Sequence, residues 1–96
     1  MLPPEAGSTL WAIARAALGE RWGAAPAPHS DAAWLHRPGA AFVTLTVDRR
    51  LRGCVGTIEA YRPLFRDVAG NAVAAAFGDA RFSQLRQDEF DALRIE

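Results

Sequence analysis

Apolar residues recur at helical spacing in two stretches of the chain. The first stretch follows Ser8, a good N-cap residue, and ends at Gly19; its apolar positions are Leu10, Ile13, Ala14, Ala17 and Leu18. The second follows Pro63, which suits a first helical position, and ends near Gly78; its stripe is Leu64, Val68, Ala72, Ala75 and Ala76. The pattern predicts two amphipathic helices, and the small residues of the second permit close packing on a sheet.

Between these helices, apolar and polar residues alternate in two short runs. Residues 41–47 place Val43, Leu45 and Val47 on one face and Phe42, Thr44 and Thr46 on the other. Asp48-Arg49-Arg50 offers a polar turn into a second run, so the pattern predicts a β-hairpin. Unbroken alternation directs Leu51, Gly53, Val55 and Thr57 one way and Arg52, Cys54, Gly56 and Ile58 the other. Arg52 and Cys54 are therefore predicted to meet one ligand.

The remaining segments are shorter. Residues 23–39, rich in proline, alanine and glycine, are predicted to form an irregular surface loop whose far end is anchored by Trp34 and Leu35. Residues 79–82 predict a compact charged turn, and residues 87–93 a short helix with Phe90 and Leu93 inward. Residues 93–96 have the character of the start of a strand. The chain is thus expected to be α+β.

Composition excludes several classes of function. Eleven arginines balance eleven acidic residues among 96, which argues against nucleic-acid binding driven by phosphate neutralisation. No cysteine or histidine pair has zinc-ligand spacing, so neither a metal site nor a cofactor is predicted. A lone cysteine fits a reducing compartment, and no run approaches the roughly 20 apolar residues that cross a bilayer. The sequence therefore predicts a cytoplasmic protein without a membrane anchor.

Cys54 is the main chemical candidate because Gly53 and Gly56 flank it in a predicted strand, where glycine is unfavourable without a close approach. An arginine nearby would lower the pKa of an exposed thiol and favour the reactive thiolate. The alternative is a buried sulfur that only fills space. For Asp79 and Arg81 the alternative to ligand binding is a turn held by their ion pair. Asn71 would either support the strand or face a ligand.

Four segments in order resemble the AMMECR domain family, known in prokaryotes as AmmeMemoRadiSam system protein A. They are residues 10–15 in the first helix, the strand at 41–45, the hallmark Leu-Arg-Gly-Cys-Val-Gly-Thr at 51–57, and residues 71–82 ending in Asp-x-Arg-Phe. The chain departs from the family at Gly78, at Ala80 and Ser83, where proline is usual, and in ending at Glu96. The resemblance covers almost the whole chain.

The resemblance implies a single AMMECR-like domain over residues 1–96, incomplete at its C-terminus, with helices flanking an antiparallel sheet and only the larger lobe present. Missing strands would leave an exposed sheet edge and a marginal or aggregation-prone product.

The resemblance also implies an accessory protein that works with Memo-like and radical SAM proteins. From the residues, the preferred hypothesis is a binding module in which an Arg52/Cys54/Arg81 surface recognises a partner protein, peptide or small anion without chemistry. The second hypothesis is an enzyme or enzyme subunit in which Cys54 is nucleophile or carrier while Arg52 and Arg81 bind an anionic group. Against it, His29 and His36 lie in the proline-rich loop, where they are expected to be solvated rather than to act as a base.

Overall fold

The computed structural model describes residues 2–24 and 31–96, which form an α+β fold as predicted. The helices are Ala6–Gly19 (α1), Ala33–His36 (α2) and Leu64–Phe77 (α3). The strands are Phe42–Val47 (β1), Arg50–Gly56 (β2) and Leu93–Ile95 (β3). Short 3₁₀ helices occupy Glu20–Trp22 and Gln87–Ala92.

The three strands form one antiparallel sheet in the order β2-β1-β3. Helix α3 packs on β1 and β2, and α1 packs beside α3 and reaches β3. The apolar core lies between these helices and one sheet face, and its buried members include Leu18, Val43, Leu45, Val68, Ala72 and Leu93. No other described element packs on the opposite face. We call that side the open face; it carries Phe42, Thr44, Thr46, Leu51, Cys54, Gly56 and Arg94.

A β-bulge interrupts the hairpin register. Leu45 pairs with Gly53, whereas Thr46 pairs with Leu51, so Arg52 is an extra residue without a partner on β1. Strand β2 therefore does not alternate without a break. The prediction that Leu51 shares a face with Gly53 is wrong, because Leu51 lies opposite Thr46 on the open face and is 39% exposed.

The helix boundaries differ slightly from the predicted ones. Ser8 is not the N-cap of α1, because the helix begins at Ala6 and the Ser8 hydroxyl donates back to the Glu5 carbonyl at 3.0 Å. The turn that starts the helix is made earlier, where the Ala6 amide donates to the Pro3 carbonyl. Pro63 is the N-cap of α3 rather than its first residue, so the helix begins one residue later than predicted, at Leu64, and it ends at Phe77 before Gly78.

The predicted irregular loop contains one regular element, the short helix α2, and residues 25–30 lie outside the described residues. Leu35 is buried and Trp34 packs on the core, so the predicted anchors are confirmed. The segment before β3 is a 3₁₀ helix in which Phe90 packs on Trp22 with ring centroids 5.5 Å apart. The strand predicted from residue 93 is confirmed as β3.

The hairpin turn is strained. Asp48 and Arg49 have positive φ angles of 50° and 66°, a conformation that two-residue hairpins need and that glycine adopts most easily. We expect Arg49→Gly to raise the free energy of unfolding by about 1 kcal/mol in urea denaturation. Arg37→Gly is the control: Arg37 is extended at φ −79°, so glycine there should lower stability. Equal effects of the two substitutions would contradict a strained turn.

Candidate functional site

Gly53 brings the hallmark strand against the backbone of α3. A Cβ atom at Gly53 would lie 1.9 Å from the carbonyl oxygen of Ala75, which no side chain can do. The small residues Ala72, Ala75 and Ala76 on the buried face of α3 make this approach possible. Gly56 is covered differently, since a Cβ there would meet the ring of Phe42 at 2.1 Å. Gly53 therefore allows the backbone of α3 to lie against β2, and Gly56 leaves room for the Phe42 ring.

Cys54 lies on the open face, opposite Thr44, and is a partly exposed residue. The Sγ atom is 3.3 Å from the Thr44 hydroxyl oxygen. The backbone N–H and C=O of Cys54 point away from β1, since β2 is an edge strand and Thr44 makes its own backbone bonds with Glu96. The site thus combines a thiol, a hydroxyl and one outward backbone amide and carbonyl.

Asp79 and Arg81 bind these outward backbone groups of Cys54. The Asp79 carboxylate accepts the Cys54 N–H at 3.2 Å, and the Arg81 guanidinium donates to the Cys54 carbonyl at 3.5 Å. The two side chains also form an ion pair at 2.8 Å, with Asp79 nearly buried and Arg81 exposed. Hydrogen bonds from Arg81, and then from the Cys54 amide, hold the pKa of Asp79 well below its usual range. The pair therefore occupies the edge where another strand would bind.

Arg52 makes its contacts elsewhere. Its guanidinium donates to both oxygens of Glu89 at 2.8 and 3.0 Å, and to the Gln84 carbonyl at 3.5 Å. Both partners of this ion pair are largely buried, and the hydrogen bonds from Arg52 lower the pKa of Glu89 to about 2. Arg52 thus ties the bulge of β2 to the 3₁₀ helix that precedes β3. The contacts do not support the prediction that Arg52 and Cys54 meet one ligand, because Arg52 is turned to Glu89 and Cys54 to Thr44.

Asn71 belongs to a separate, buried polar cluster. Its amide nitrogen donates to the Ala41 carbonyl at 2.8 Å and the Thr57 hydroxyl at 3.0 Å, and its oxygen accepts from Arg62 at 3.3 Å. Asp67, fully buried one turn earlier, accepts hydrogen bonds from Thr57 and Arg62 at 2.7 and 2.8 Å and from the Ala41 amide at 2.8 Å. These bonds attach the start of β1 and the loop after β2 to α3.

Electrostatics in this cluster favour the ionised form of Asp67. Burial alone would raise the pKa of Asp67, but the hydrogen bonds from Thr57, Arg62 and the Ala41 amide together lower it. Every buried side-chain nitrogen and oxygen among the described residues has a hydrogen-bond partner. The cluster is therefore a satisfied structural network, and Asn71 supports the hallmark strand through Ala41 and Thr57.

Sequence reasoning missed Asp67 and Glu89. Asp67 and Asn71 are four residues apart inside an apolar helical stripe, and this spacing puts two polar side chains on one buried surface. That signal was available from the sequence. No sequence pattern of this kind identifies Glu89, because its partner Arg52 is 37 residues away. The adjacent Asp88 is also acidic but is exposed, and the sequence does not distinguish the two residues.

Of the two histidines considered as bases, one lies in the described part of the chain. His36 is exposed and lies beside Phe65 with ring centroids 5.1 Å apart, whereas His29 lies outside the described residues. Over residues 2–24 and 31–96, no three His, Cys, Asp or Glu side chains are grouped to hold a metal ion. Within the same ranges, no helix is both long and apolar enough to span a bilayer.

Comparison with known proteins places the chain in a family. The AMMECR1 family model matches residues 11–96, which is nearly the whole sequence. The chain belongs to the AMMECR1 family. The observed geometry is thus that of an AMMECR1 domain, and the bulged strand β2 lies within the matched residues.

Individual relatives of this AMMECR1 domain include uncharacterised archaeal proteins. It is 47% identical over 68 residues to a protein of Aeropyrum pernix, an alignment that covers 65% of this chain and 29% of that protein. A protein of Saccharolobus islandicus strain L.S.2.15 is 47% identical over 66 residues with the same coverage. The uncharacterised protein PH0010 from Pyrococcus horikoshii superimposes with a TM-score of 0.81 at 27% identity, over 98% of this chain and 50% of that one. The alignments therefore span under a third of these curated relatives and half of the solved structure.

Gly53→Ala tests the backbone contact. Because the new Cβ would meet the Ala75 carbonyl oxygen rather than a movable side chain, we expect a loss of at least about 3 kcal/mol in the free energy of unfolding. Gly56→Ala should cost less, since the exposed Phe42 ring can move into solvent. Gly7→Ala in α1 is the control; its Cβ meets nothing within 4 Å, so stability should not fall. Similar losses at Gly53 and Gly56 would contradict this assignment.

Arg52→Met tests the ion pair with Glu89. We expect a loss of about 2 kcal/mol in the free energy of unfolding at pH 7, because the substitution leaves a largely buried carboxylate unpaired. Folding lowers the pKa of Glu89 from 4.5 to about 2, so its contribution is present above pH 4.5 and is lost as the pH falls toward 2. The difference between wild type and variant should shrink over that range in urea titrations.

Arg86→Met is the matched control for this ion pair. Arg86 pairs with Asp88 on the surface, where both side chains are mostly exposed, so the loss should stay within about 0.5 kcal/mol. A difference between Arg52→Met and wild type that does not change with pH would show that the stability comes from packing of the Arg52 chain rather than from its charge.

Proposed function

We propose that this AMMECR1 domain is an accessory binding module that contacts a protein partner through the open face around Cys54. The candidate partners are Memo-like and radical SAM proteins, as the family resemblance implies. A cytoplasmic setting, in which a lone thiol stays reduced, belongs to the same proposal.

The observation that carries the proposal is the exposure of large apolar side chains on the open face and just after the strand that carries Cys54. Phe42, on the open face, is 63% exposed although its ring packs over Gly56. Ile58, two residues after Gly56, is 89% exposed. Neighbouring exposed apolar residues on a small domain are typical of protein interfaces, where aromatic side chains contribute much of the contact. Phe42 and Ile58 are therefore the expected anchors.

The polar groups near Cys54 support binding more than catalysis. Asp79 and Arg81 are bonded to each other and to the Cys54 backbone, and Arg52 is bonded to Glu89. Within the described part of the chain, the hydrogen bond of the thiol is to Thr44, a hydroxyl that is a poor general base. A nucleophilic thiol needs an activating base or a strongly cationic setting. Here the nearby cationic groups, Arg52 and Arg81, are already bonded to carboxylates that hold the fold together.

An enzyme or carrier role for Cys54 is the second candidate, because Cys54 is partly exposed and its backbone carbonyl accepts a hydrogen bond from the exposed guanidinium of Arg81. In that case Arg81 would bind the anionic group of a substrate. Alkylation kinetics separate the two roles: a functional thiolate reacts quickly at neutral pH, and its rate falls in Arg81→Met. A slow rate that does not respond to Arg81→Met leaves the binding role.

Phe42→Ser tests the binding module directly. Titration calorimetry of the purified domain with a Memo-like and a radical SAM protein should show at least about tenfold weaker binding for this variant, since an aromatic anchor of the interface is lost. Ile58→Ser should act in the same direction.

Val73→Ser is the matched control for both variants. Val73 is an apolar residue of α3 that is 40% exposed and lies away from the open face, so its replacement should leave the affinity unchanged. Circular dichroism confirms folding in each case. Binding that Phe42→Ser does not change, or that Val73→Ser weakens equally, would contradict a partner site on the open face.

A further inference from the structure

A single buried carboxylate holds both ends of the loop that follows β2. One oxygen of Asp67 accepts hydrogen bonds from the Thr57 hydroxyl at 2.7 Å and from the Arg62 guanidinium at 2.8 Å. Asn71 strengthens both attachments, because it donates to the Thr57 hydroxyl at 3.0 Å and accepts from Arg62 at 3.3 Å. The residues between these attachments are neither helical nor part of a strand, and we call residues 58–61 the 58–61 loop. The loop is therefore fixed at both ends by side chains of α3.

The same carboxylate fixes the start of β1. The second oxygen of Asp67 accepts a hydrogen bond from the Ala41 amide at 2.8 Å. Three of the residues bonded to Asp67 are each next in the sequence to a large apolar side chain that is substantially exposed. The three pairs are Ala41 with Phe42, Thr57 with Ile58, and Arg62 with Tyr61. One buried residue therefore positions three exposed ones.

The side chains of the 58–61 loop combine apolar groups with one carboxylate. Ile58 and Tyr61 are the large apolar members, and the Arg62 guanidinium lies over the Tyr61 ring, 5.0 Å from its centroid. Glu59 is exposed between them and has no ion-pair partner among the described residues. Since Asp67 balances the charge of Arg62, the carboxylate of Glu59 is the uncompensated charge of the loop. The loop therefore offers two apolar contacts and one negative charge.

We propose that the 58–61 loop is a preorganised recognition element, held in place by Asp67, for a protein surface that presents an apolar pocket beside a Lys or Arg side chain. The proposal rests on the binding function proposed above and adds the chemistry of the partner to it. A loop that is fixed before binding loses little conformational entropy when the complex forms, so more of its contact energy contributes to affinity. In the complex the apolar pocket takes the Tyr61 ring, since tyrosine is a frequent anchor of interfaces, and the cation of the partner pairs with Glu59.

The order of the loop is tested without any partner. Backbone amide relaxation of the whole chain, measured by NMR, should give order parameters of about 0.85 for the 58–61 loop in the wild type and below about 0.6 in Asp67→Asn, which keeps the shape of the side chain but removes its charge. Thr57→Val removes one of the hydrogen bonds at lower cost and should act in the same direction. Glu89→Gln is the matched control, since it neutralises the other largely buried carboxylate and should leave the loop ordered. A wild-type loop that is already mobile, or one that neither Asp67→Asn nor Thr57→Val loosens, overturns the proposal.

Binding tests the chemistry of the partner. In titration calorimetry with the Memo-like and radical SAM proteins, Tyr61→Ser and Asp67→Asn should each weaken binding at least about tenfold, whereas Glu89→Gln should not change it. Glu59→Gln should weaken binding about threefold at low salt and have no effect at about 1 M salt, where exposed charges are screened. Glu20→Gln, at an exposed position of the 3₁₀ helix after α1, should have no effect at either salt concentration.

The outcomes separate this proposal from the binding function on which it rests. A wild-type chain that binds neither protein overturns both. Binding that Phe42→Ser weakens, but that Tyr61→Ser and Asp67→Asn leave unchanged, overturns the role of the loop alone, as does equal weakening by Asp67→Asn and Glu89→Gln. Binding that Glu59→Gln does not change at low salt overturns the cationic group of the partner. Circular dichroism shows whether each variant is folded.

Discussion

The contact between Gly53 and the backbone of α3 is the constraint on which the rest of this fold depends. Because the Ala75 carbonyl lies where a Cβ would stand, the helix axis comes closer to β2 than any side chain would allow. That approach brings the turn after α3 to the edge of β2, where Asp79 reaches the Cys54 amide. The contact between Cys54 and Asp79 consequently depends on the absence of a side chain at Gly53, one residue earlier.

Two ionic clusters hold the parts that this contact alone does not fix. Asp67 joins α3 to the start of β1 and to the loop after β2, and Glu89 joins the bulge to the 3₁₀ helix before β3. Each cluster has one largely or wholly buried carboxylate that accepts hydrogen bonds from several donors. Each cluster therefore fixes the relative positions of the segments it joins and also adds stability. Strand β2 therefore joins three parts of the fold, because Arg52, Gly53 and Cys54 contact different neighbours.

Local sequence pattern predicted the elements of this fold but not the relations between them. Helix α3, the hairpin and β3 follow from periodicity because each of these segments carries its own apolar face. The bulge at Arg52 depends on how two strands fit together, and no alternation within β2 reveals it. That one unpaired residue moved Leu51 to the open face and aligned Arg52 with Glu89. Asp79, Arg81 and Cys54 did come together, although their contacts run through the Cys54 backbone and not its thiol.

The side chains at the outer edge of β2 protect that edge of the sheet. Asp79 supplies an acceptor and Arg81 a donor where an incoming strand would supply its own carbonyl and amide, so at Cys54 they act as a substitute for one residue of a fourth strand. A strand arriving there would have to break an ion pair before it could form a single backbone bond. The edge of the sheet that carries the cysteine is therefore already closed by side chains of the same chain.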